Sequence, residues 1–201
     1  MLPILSCFII FCLWLRYELR KSSNQVEKTK NTLIENESMA NSTRKKSISS
    51  LNYITISEKS ILFIKINDSK IKNIQKEFEI LKDKKILNLS NMSNTELKLN
   101  YGPANLPVLS EADENFSSLV RNLHKYAEAL KDLDMKKEAI EVLEYAIDIG
   151  SDMSISYKLL SELYKGTDNS KKIDYLIKKA ETLDSLMKEP ILNYLKSFQQ
   201  K

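Results

Sequence analysis

A register of 34 residues constrains this chain more than any other feature. Shifted by that interval, the sequence sets Leu123 on Tyr157, Tyr126 on Leu160, Leu130 on Tyr164, Leu143 on Ile177 and Ala146 on Ala180. A second shift sets Tyr157 on Ile191, Leu160 on Tyr194 and Tyr164 on Phe198. A closed core has no reason to repeat its packing at a fixed interval. Stacked supersecondary units do, because each buries its apolar face on the next.

The composition suits helices: 42% hydrophobic, 29% charged, with three Gly and four Pro in 201 residues. Breakers are scarce and regularly placed. Ser110 with Asp113 caps a long helix through Phe116, Leu119, Leu123, Tyr126 and Leu130. Asp134 falls in the next turn, Gly150-Ser151-Asp152 ends one helix and caps another, Gly166-Thr167-Asp168 makes the following turn, and Pro190 suits the first turn of a last helix. The spacing predicts five helices of roughly 10–20 residues after residue 110, in antiparallel pairs.

Upstream, Ile71, Ile74, Phe78 and Leu81 form one helical stripe. Ser93 and Glu96 make a capping box for a second short helix carrying Leu97 and Tyr101, stopped by Gly102-Pro103, with a linker over 102–109. Between residues 51 and 66, Tyr53-Ile54-Thr55-Ile56 and Ile61-Leu62-Phe63-Ile64-Lys65-Ile66 have the β-branched composition of strands, and a small hairpin is expected. Residues 51–109 thus read as a small mixed helical/β capping region. Its helices are expected on the first repeat, because at least about three repeats are needed for a stable stack.

Residues 1–15 (MLPILSCFIIFCLWL) carry no charge, and Arg16, Arg20 and Lys21 follow at once. As a helix this run spans ~22 Å against a hydrocarbon core of ~30 Å. Tyr17 and Leu19 extend it through the interface, Arg16 can snorkel, and Trp14 and Tyr17 suit an aromatic belt. A cleaved signal peptide would need a basic segment before the run and small residues after it. A transmembrane anchor over 1–19 is therefore expected, then a basic juxtamembrane helix or linker over 20–50. Arg16, Arg20, Lys21, Lys28 and Lys30 all follow the span, so the positive-inside rule puts the amino terminus outside and the rest in the cytoplasm of a single-pass cell-membrane protein. Arg16, Arg20 and Lys21 would lie near anionic lipid.

The net charge of +4 lies beside that run: residues 16–60 hold nine Lys/Arg against five Asp/Glu, while residues 120–201 hold fourteen of each. A neutral repeat region offers no basic face, so nucleic acid is not an expected partner. Cys7 and Cys12 both lie in the apolar run, which leaves no disulfide framework or thiolate metal site for the rest of the chain. His124 is the only histidine and has no Ser-His-Asp set or metal-spaced cluster around it. Glycines 102, 150 and 166 read as turns, not as a phosphate loop. No enzyme, cofactor or metal is expected.

Aligned on the register, the repeats resemble tetratricopeptide repeats. The first runs over 120–153, the second over 154–187, and a truncated third over 188–201. Leu123, Tyr126, Ala127, Leu130, Ala139, Leu143 and Ala146 fill the family's large and small positions in the first repeat; Tyr157, Leu160, Ser161, Tyr164, Ile177 and Ala180 do so in the second. Asp134 stands where Gly is usual, Ile173 where a small residue is usual, and Ser151 and Ser185 where Pro is usual. The layout is also similar to uncharacterised membrane-anchored repeat proteins of anaerobic Gram-positive bacteria, through the short apolar start, ANSTRKK (40–46), LNYITI (51–56) and LKLNYGPANLP (97–107). That likeness implies no activity.

The tetratricopeptide resemblance implies a mainly α fold, with an α-α hairpin solenoid of about two and a half repeats over 110–201. It also implies a concave groove lined by the first helix of each hairpin. Residues of this chain facing that groove would be Arg121, His124, Glu128 and Lys131, then Ile155, Lys158, Glu162 and Lys165, then Leu192 and Lys196. Lys158 matches one position of the family's clamp for peptide carboxy-termini, but Glu162 stands where the clamp needs Asn, so that activity does not carry over. A plain helical bundle with a solvated face is the competing reading. The expected role is a membrane-tethered cytoplasmic scaffold or adaptor for a protein or peptide. The alternative is a structural subunit or assembly factor of a membrane complex, whose anchor packs on partner subunits.

Overall fold

The computed structural model describes residues 2–56, 60–165 and 172–199. These form eight α-helices and two 3₁₀ turns, with no strand among the described residues. In order they are α1 (Leu2–Ser42), a 3₁₀ turn (Ser60–Phe63), α2 (Ser69–Lys82), α3 (Asn94–Tyr101), a 3₁₀ turn (Pro103–Asn105), α4 (Leu106–Asp132), α5 (Lys136–Asp148), α6 (Ser154–Lys165), α7 (Ile173–Glu181) and α8 (Lys188–Gln199). The chain divides into two compact units: residues 1–47 with 94–106, and residues 48–93 with 107–201.

The first unit is built on α1, whose 41 residues make a rod of roughly 60 Å. Among the described residues, no helix is long and apolar enough to cross a membrane. The stretch expected as an anchor is nonetheless helical, and Phe11, Leu13, Trp14, Tyr17 and Leu19 on it are exposed. The other end of α1 packs on α3. The Glu37 carboxylate pairs with the Lys98 ammonium and accepts a hydrogen bond from the Thr95 hydroxyl at 2.8 Å, and the Lys98 bond holds its pKa below the usual carboxylate value. Past α1, the Lys46 amide donates to the Tyr101 carbonyl at 3.0 Å. The buried Asn105 amide donates to the carbonyls of both Lys46 (2.8 Å) and Tyr101 (2.6 Å). This close approach requires Gly102, which has φ 86°: a Cβ there would sit 2.7 Å from the Arg44 carbonyl oxygen. So α3, expected beside the first repeat, belongs to the unit containing α1.

The second unit holds α2 and α4 to α8. Asp68 caps α2 by accepting from the Ile71 amide at 2.9 Å, and the predicted stripe buries Ile71, Phe78 and Leu81. Phe78 meets Tyr126 of α4 edge to face, with centroids 5.6 Å apart. Such a pair contributes about 0.5–1.5 kcal/mol beyond the area it buries. The Tyr126 hydroxyl donates to the Ile61 carbonyl at 3.3 Å, tying the 3₁₀ turn to α4.

Among the described residues of 51–66, no strand of the expected hairpin forms. Ile61, Leu62 and Phe63 lie in the 3₁₀ turn, the Ile54 amide makes one bond to the Ile86 carbonyl at 2.9 Å, and residues 57–59 lie outside the described residues. Ile56 and Leu62 are instead fully buried against the helices. Their β-branched and apolar composition reports burial, which a strand and a core plug share.

Helix α4 begins at Leu106, ahead of the expected start at Ser110, with Pro107 in its first turn, where a missing amide costs nothing. The expected turn at 166–168 lies outside the described residues. Most residues matched by the 34-residue shift share an environment: Leu123, Tyr157 and Ile191 are buried, as are Tyr126 with Leu160, Leu130 with Tyr164, and Ala146 with Ala180, whereas Ile177, Tyr194 and Phe198 are only partly buried. Helix α6 packs on α5 and α8, and α7 packs on α8. Two carboxylates of α5 stitch the layer polarly. Glu144 accepts from the Tyr164 hydroxyl (2.6 Å) and the Lys172 ammonium (2.7 Å); Asp148 accepts from the Tyr175 hydroxyl (2.6 Å) and pairs with Lys179 (2.6 Å).

Candidate functional site

Helices α4, α6 and α8 carry the ten residues expected to face a groove, and the structure sorts them into three groups. His124, Lys158 and Leu192 occupy one repeat position on successive helices, yet only Lys158 is exposed. Leu192 is 5% exposed and belongs to the core. His124 is 7% exposed, so it is neither a surface residue nor a groove residue. The ring lies against Ser156 of α6 and keeps only a narrow exposure on the side of Glu128.

The buried imidazole joins two helices. Its Nδ1 lies 3.3 Å from the Ser156 hydroxyl of α6, and its Nε2 lies 3.4 Å from a carboxylate oxygen of Glu128, one turn along α4. Ser156, His124 and Glu128 stand in the order of a hydrolytic triad, but Ser156 is 0% exposed and its oxygen has no approach for a substrate. Burial lowers the His124 pKa, and the Glu128 charge opposes that shift only partly. The neutral ring therefore serves as a polar link between α4 and α6.

A second group lies across α6 and α8. The Lys158 ammonium sits 5.3 Å from the centroid of Tyr194, and the Lys165 ammonium 5.2 Å from that of Phe198. Tyr194 and Phe198 are one turn apart on α8 and stack at 5.7 Å. Neither lysine has a carboxylate partner among the described residues. Ring faces of this kind attract ammonium groups by about 0.5–1 kcal/mol at exposed sites, enough to bias side-chain direction while leaving the charge available. Ile155, Glu162 and Lys196 are exposed on the same helices. The i, i+4 spacing of Tyr194 and Phe198 on one helix is the sequence signal for this platform.

Arg121 belongs to neither group. It opens on a cleft between α4 and α2, with Asn73 and Asn122 beside it. Lys131, near the end of α4, is half-buried and lowers the His124 pKa slightly by its charge. Among the described residues no cluster of three or more His, Cys, Asp or Glu is arranged to hold a metal ion. No protein-family model, curated protein or solved structure matches this chain.

Proposed function

We propose that this chain is a helical-repeat scaffold, of tetratricopeptide type, that binds a protein or peptide partner across α6 and α8. The observation that carries the reading is the pair of exposed ammonium groups, Lys158 over Tyr194 and Lys165 over Phe198. A surface that pre-orients two charges over half-exposed rings saves ordering entropy when a partner docks, which favours binding. Aromatic side chains with adjacent cations are also the composition of interface centres. The scaffold is held at the cell membrane by the apolar start of α1, with Arg16, Arg20 and Lys21 at the anionic lipid surface and the repeats in the cytoplasm. Affinity capture from solubilised membranes, with the full chain as bait, tests the reading. A partner retained by the parent and lost with Lys158→Glu and Lys165→Glu supports it; a partner indifferent to both substitutions overturns it.

The exposed Phe11, Leu13, Trp14, Tyr17 and Leu19 favour a second reading. An apolar run shorter than the bilayer gains from packing on other helices, so α1 would itself be a contact to subunits of a membrane complex. Replacing residues 1–15 by an unrelated anchor separates the two: the scaffold keeps its function, and the subunit loses it. A reporter fused at Lys201 tests the orientation, and activity outside the cytoplasm would exclude it.

A further inference from the structure

We propose that the element taken up by α6 and α8 is an acidic amphipathic α-helix, seated on α8 as the second helix of a hairpin. The inference rests on the partner surface proposed above and names the chemistry of its ligand.

The register shows what the face of α8 accommodates. Tyr194 matches Leu160 and Tyr126, and Phe198 matches Tyr164 and Leu130. All four equivalents are 0% exposed, whereas Tyr194 and Phe198 are half-buried. Helix α6 packs on α5, α7 and α8, while α8 packs on α6 and α7. Among the described residues, α8 therefore has no neighbour in the place that α7 takes beside α6. Rings left half-covered at positions that are otherwise sealed point to a docking helix and not to a solvated face.

The second helices of this fold meet their neighbours through one recurrent stripe. Ala139, Val142 and Ala146 of α5 match Ile173, Leu176 and Ala180 of α7 under the 34-residue shift, and all six are buried. Their spacing of i, i+3, i+7 is a single helix face. A ligand that takes the same place beside α8 presents apolar side chains at i and i+3. Alanine stands last in both stripes, so a small residue is expected at i+7.

Charge selects what flanks that stripe. The Lys158 and Lys165 ammonium groups lie over the Tyr194 and Phe198 rings, at 5.3 and 5.2 Å, with no carboxylate partner among the described residues. They stand two turns apart, about 10 Å along α6. Together α6 and α8 carry four lysines against two acids, Glu162 and Glu189. A second copy of this chain would set these lysines against their own counterparts, a like-charge contact. A helix with carboxylates beside its apolar stripe pairs with both ammonium groups instead. The chain itself contains a helix of that description: α5, KKEAIEVLEYAID, carries Glu138, Glu141, Glu144 and Asp148 around its stripe.

A fluorescently labelled, end-capped peptide of the Lys136–Asp148 sequence, titrated with the full chain in detergent and read by anisotropy, tests the inference. Saturable binding is expected, weakened tenfold or more when Lys158→Glu and Lys165→Glu are combined in the protein. Val142→Pro in the peptide keeps its charge and breaks its helix, and should weaken binding by at least as much. Equal binding of the Pro peptide would mean that the surface reads acidic charge alone; the helix is then overturned and the partner surface stands. Binding that survives both lysine substitutions places the peptide elsewhere, displacement of α5 included, and overturns the proposal. Self-association that excludes the peptide, read by sedimentation, makes a second copy the occupant and overturns it too. No saturable binding of either peptide overturns the acidic helix as ligand, whereas the partner surface itself falls only if affinity capture also finds no partner that depends on Lys158 and Lys165.

Discussion

Asp134 and Gly150 hold the same place at the ends of successive helices, with left-handed backbone φ of 59° and 89°. After α4, the Asp134 amide bonds the Lys131 carbonyl (2.9 Å) and the Met135 amide bonds that of Leu130 (2.9 Å). After α5, the Gly150 amide bonds the Ile147 carbonyl (3.0 Å) and the Ser151 amide bonds that of Ala146 (3.0 Å). Both are Schellman ends, which satisfy the last carbonyls of a helix through one left-handed residue. Glycine adopts that conformation freely and aspartate at a cost.

Replacing Asp134 by Gly should therefore stabilise the repeat unit by about 0.5–1 kcal/mol, read as a rise in melting temperature. The exposed Asp134–Lys136 pair at 3.1 Å, lost in the variant, offsets little of this. Gly150→Ala should act oppositely, lowering stability by at least about 1 kcal/mol. Its added Cβ would lie 2.8 Å from the Asn88 amide nitrogen as well as forcing the strained φ.

Buried, neutral His124 makes the α4–α6 contact sensitive to acid. Because burial lowers its folded pKa, the unfolded chain takes the proton first. Its contribution to stability is then complete above about pH 6.5 and declines as pH falls below that value. Thermal melts at pH 7.5 and 5.5 should show a loss in the parent that is clearly smaller in His124→Gln. Lys131, Glu128 and Ser156 are the groups around the ring, and only the Glu128 charge favours the protonated form. Equal losses in both proteins would place the acid sensitivity elsewhere.

How far the sequence was legible follows from which residues carry periodic information. The stripe Ile71, Ile74, Phe78, Leu81 and the register pairs after residue 120 were readable, because helix burial repeats with the helix turn and the hairpin. Partners of short elements were not readable. Leu97 is the single buried residue of α3, and one apolar contact does not say whether its neighbour is α1 or α4. Ile56 and Leu62 look strand-like because β-branching and burial go together. His124, Lys158 and Leu192 show the limit of repeat logic at the candidate site. They are equivalent in register, but exposure depends on which side chains stand over each position, and the buried Ser156 that meets the His124 ring is not legible from the spacing. The cleft of Arg121 and Asn122 needs α2, which lies outside the repeat, so no register could locate it.

Asn105 should govern the order of the first unit without affecting the second. Its amide holds the carbonyls of Lys46 and Tyr101, and the Lys46 amide returns a bond to Tyr101. Asn105→Ala leaves these carbonyls short of donors, a local loss of about 1–3 kcal/mol. Hydrogen exchange at the Lys46 amide should speed up by at least about tenfold, while amides in the middle of α4 keep their protection. Uniform acceleration across both units would show that they unfold together.

Tyr157 and Tyr164, both on α6 and both buried, should respond oppositely to loss of the hydroxyl. The Tyr164 hydroxyl donates to Glu144 at 2.6 Å, whereas that of Tyr157 has no partner among the described residues. Tyr164→Phe should cost about 1–2 kcal/mol. Tyr157→Phe should be neutral or stabilising by up to about 1 kcal/mol, since it removes a buried unpaired donor. The alkaline limb separates them further. Burial raises both phenol pKa values, with Glu144 adding to the shift at Tyr164 and Asp152 at Tyr157. The unfolded chain then loses these protons first, so their contribution is present below about pH 10 and declines as pH rises above it. Each Phe variant should flatten the fall in melting temperature between pH 9 and 11. A Tyr157→Phe protein that melts as low as Tyr164→Phe would mean that the Tyr157 hydroxyl has a partner in solution.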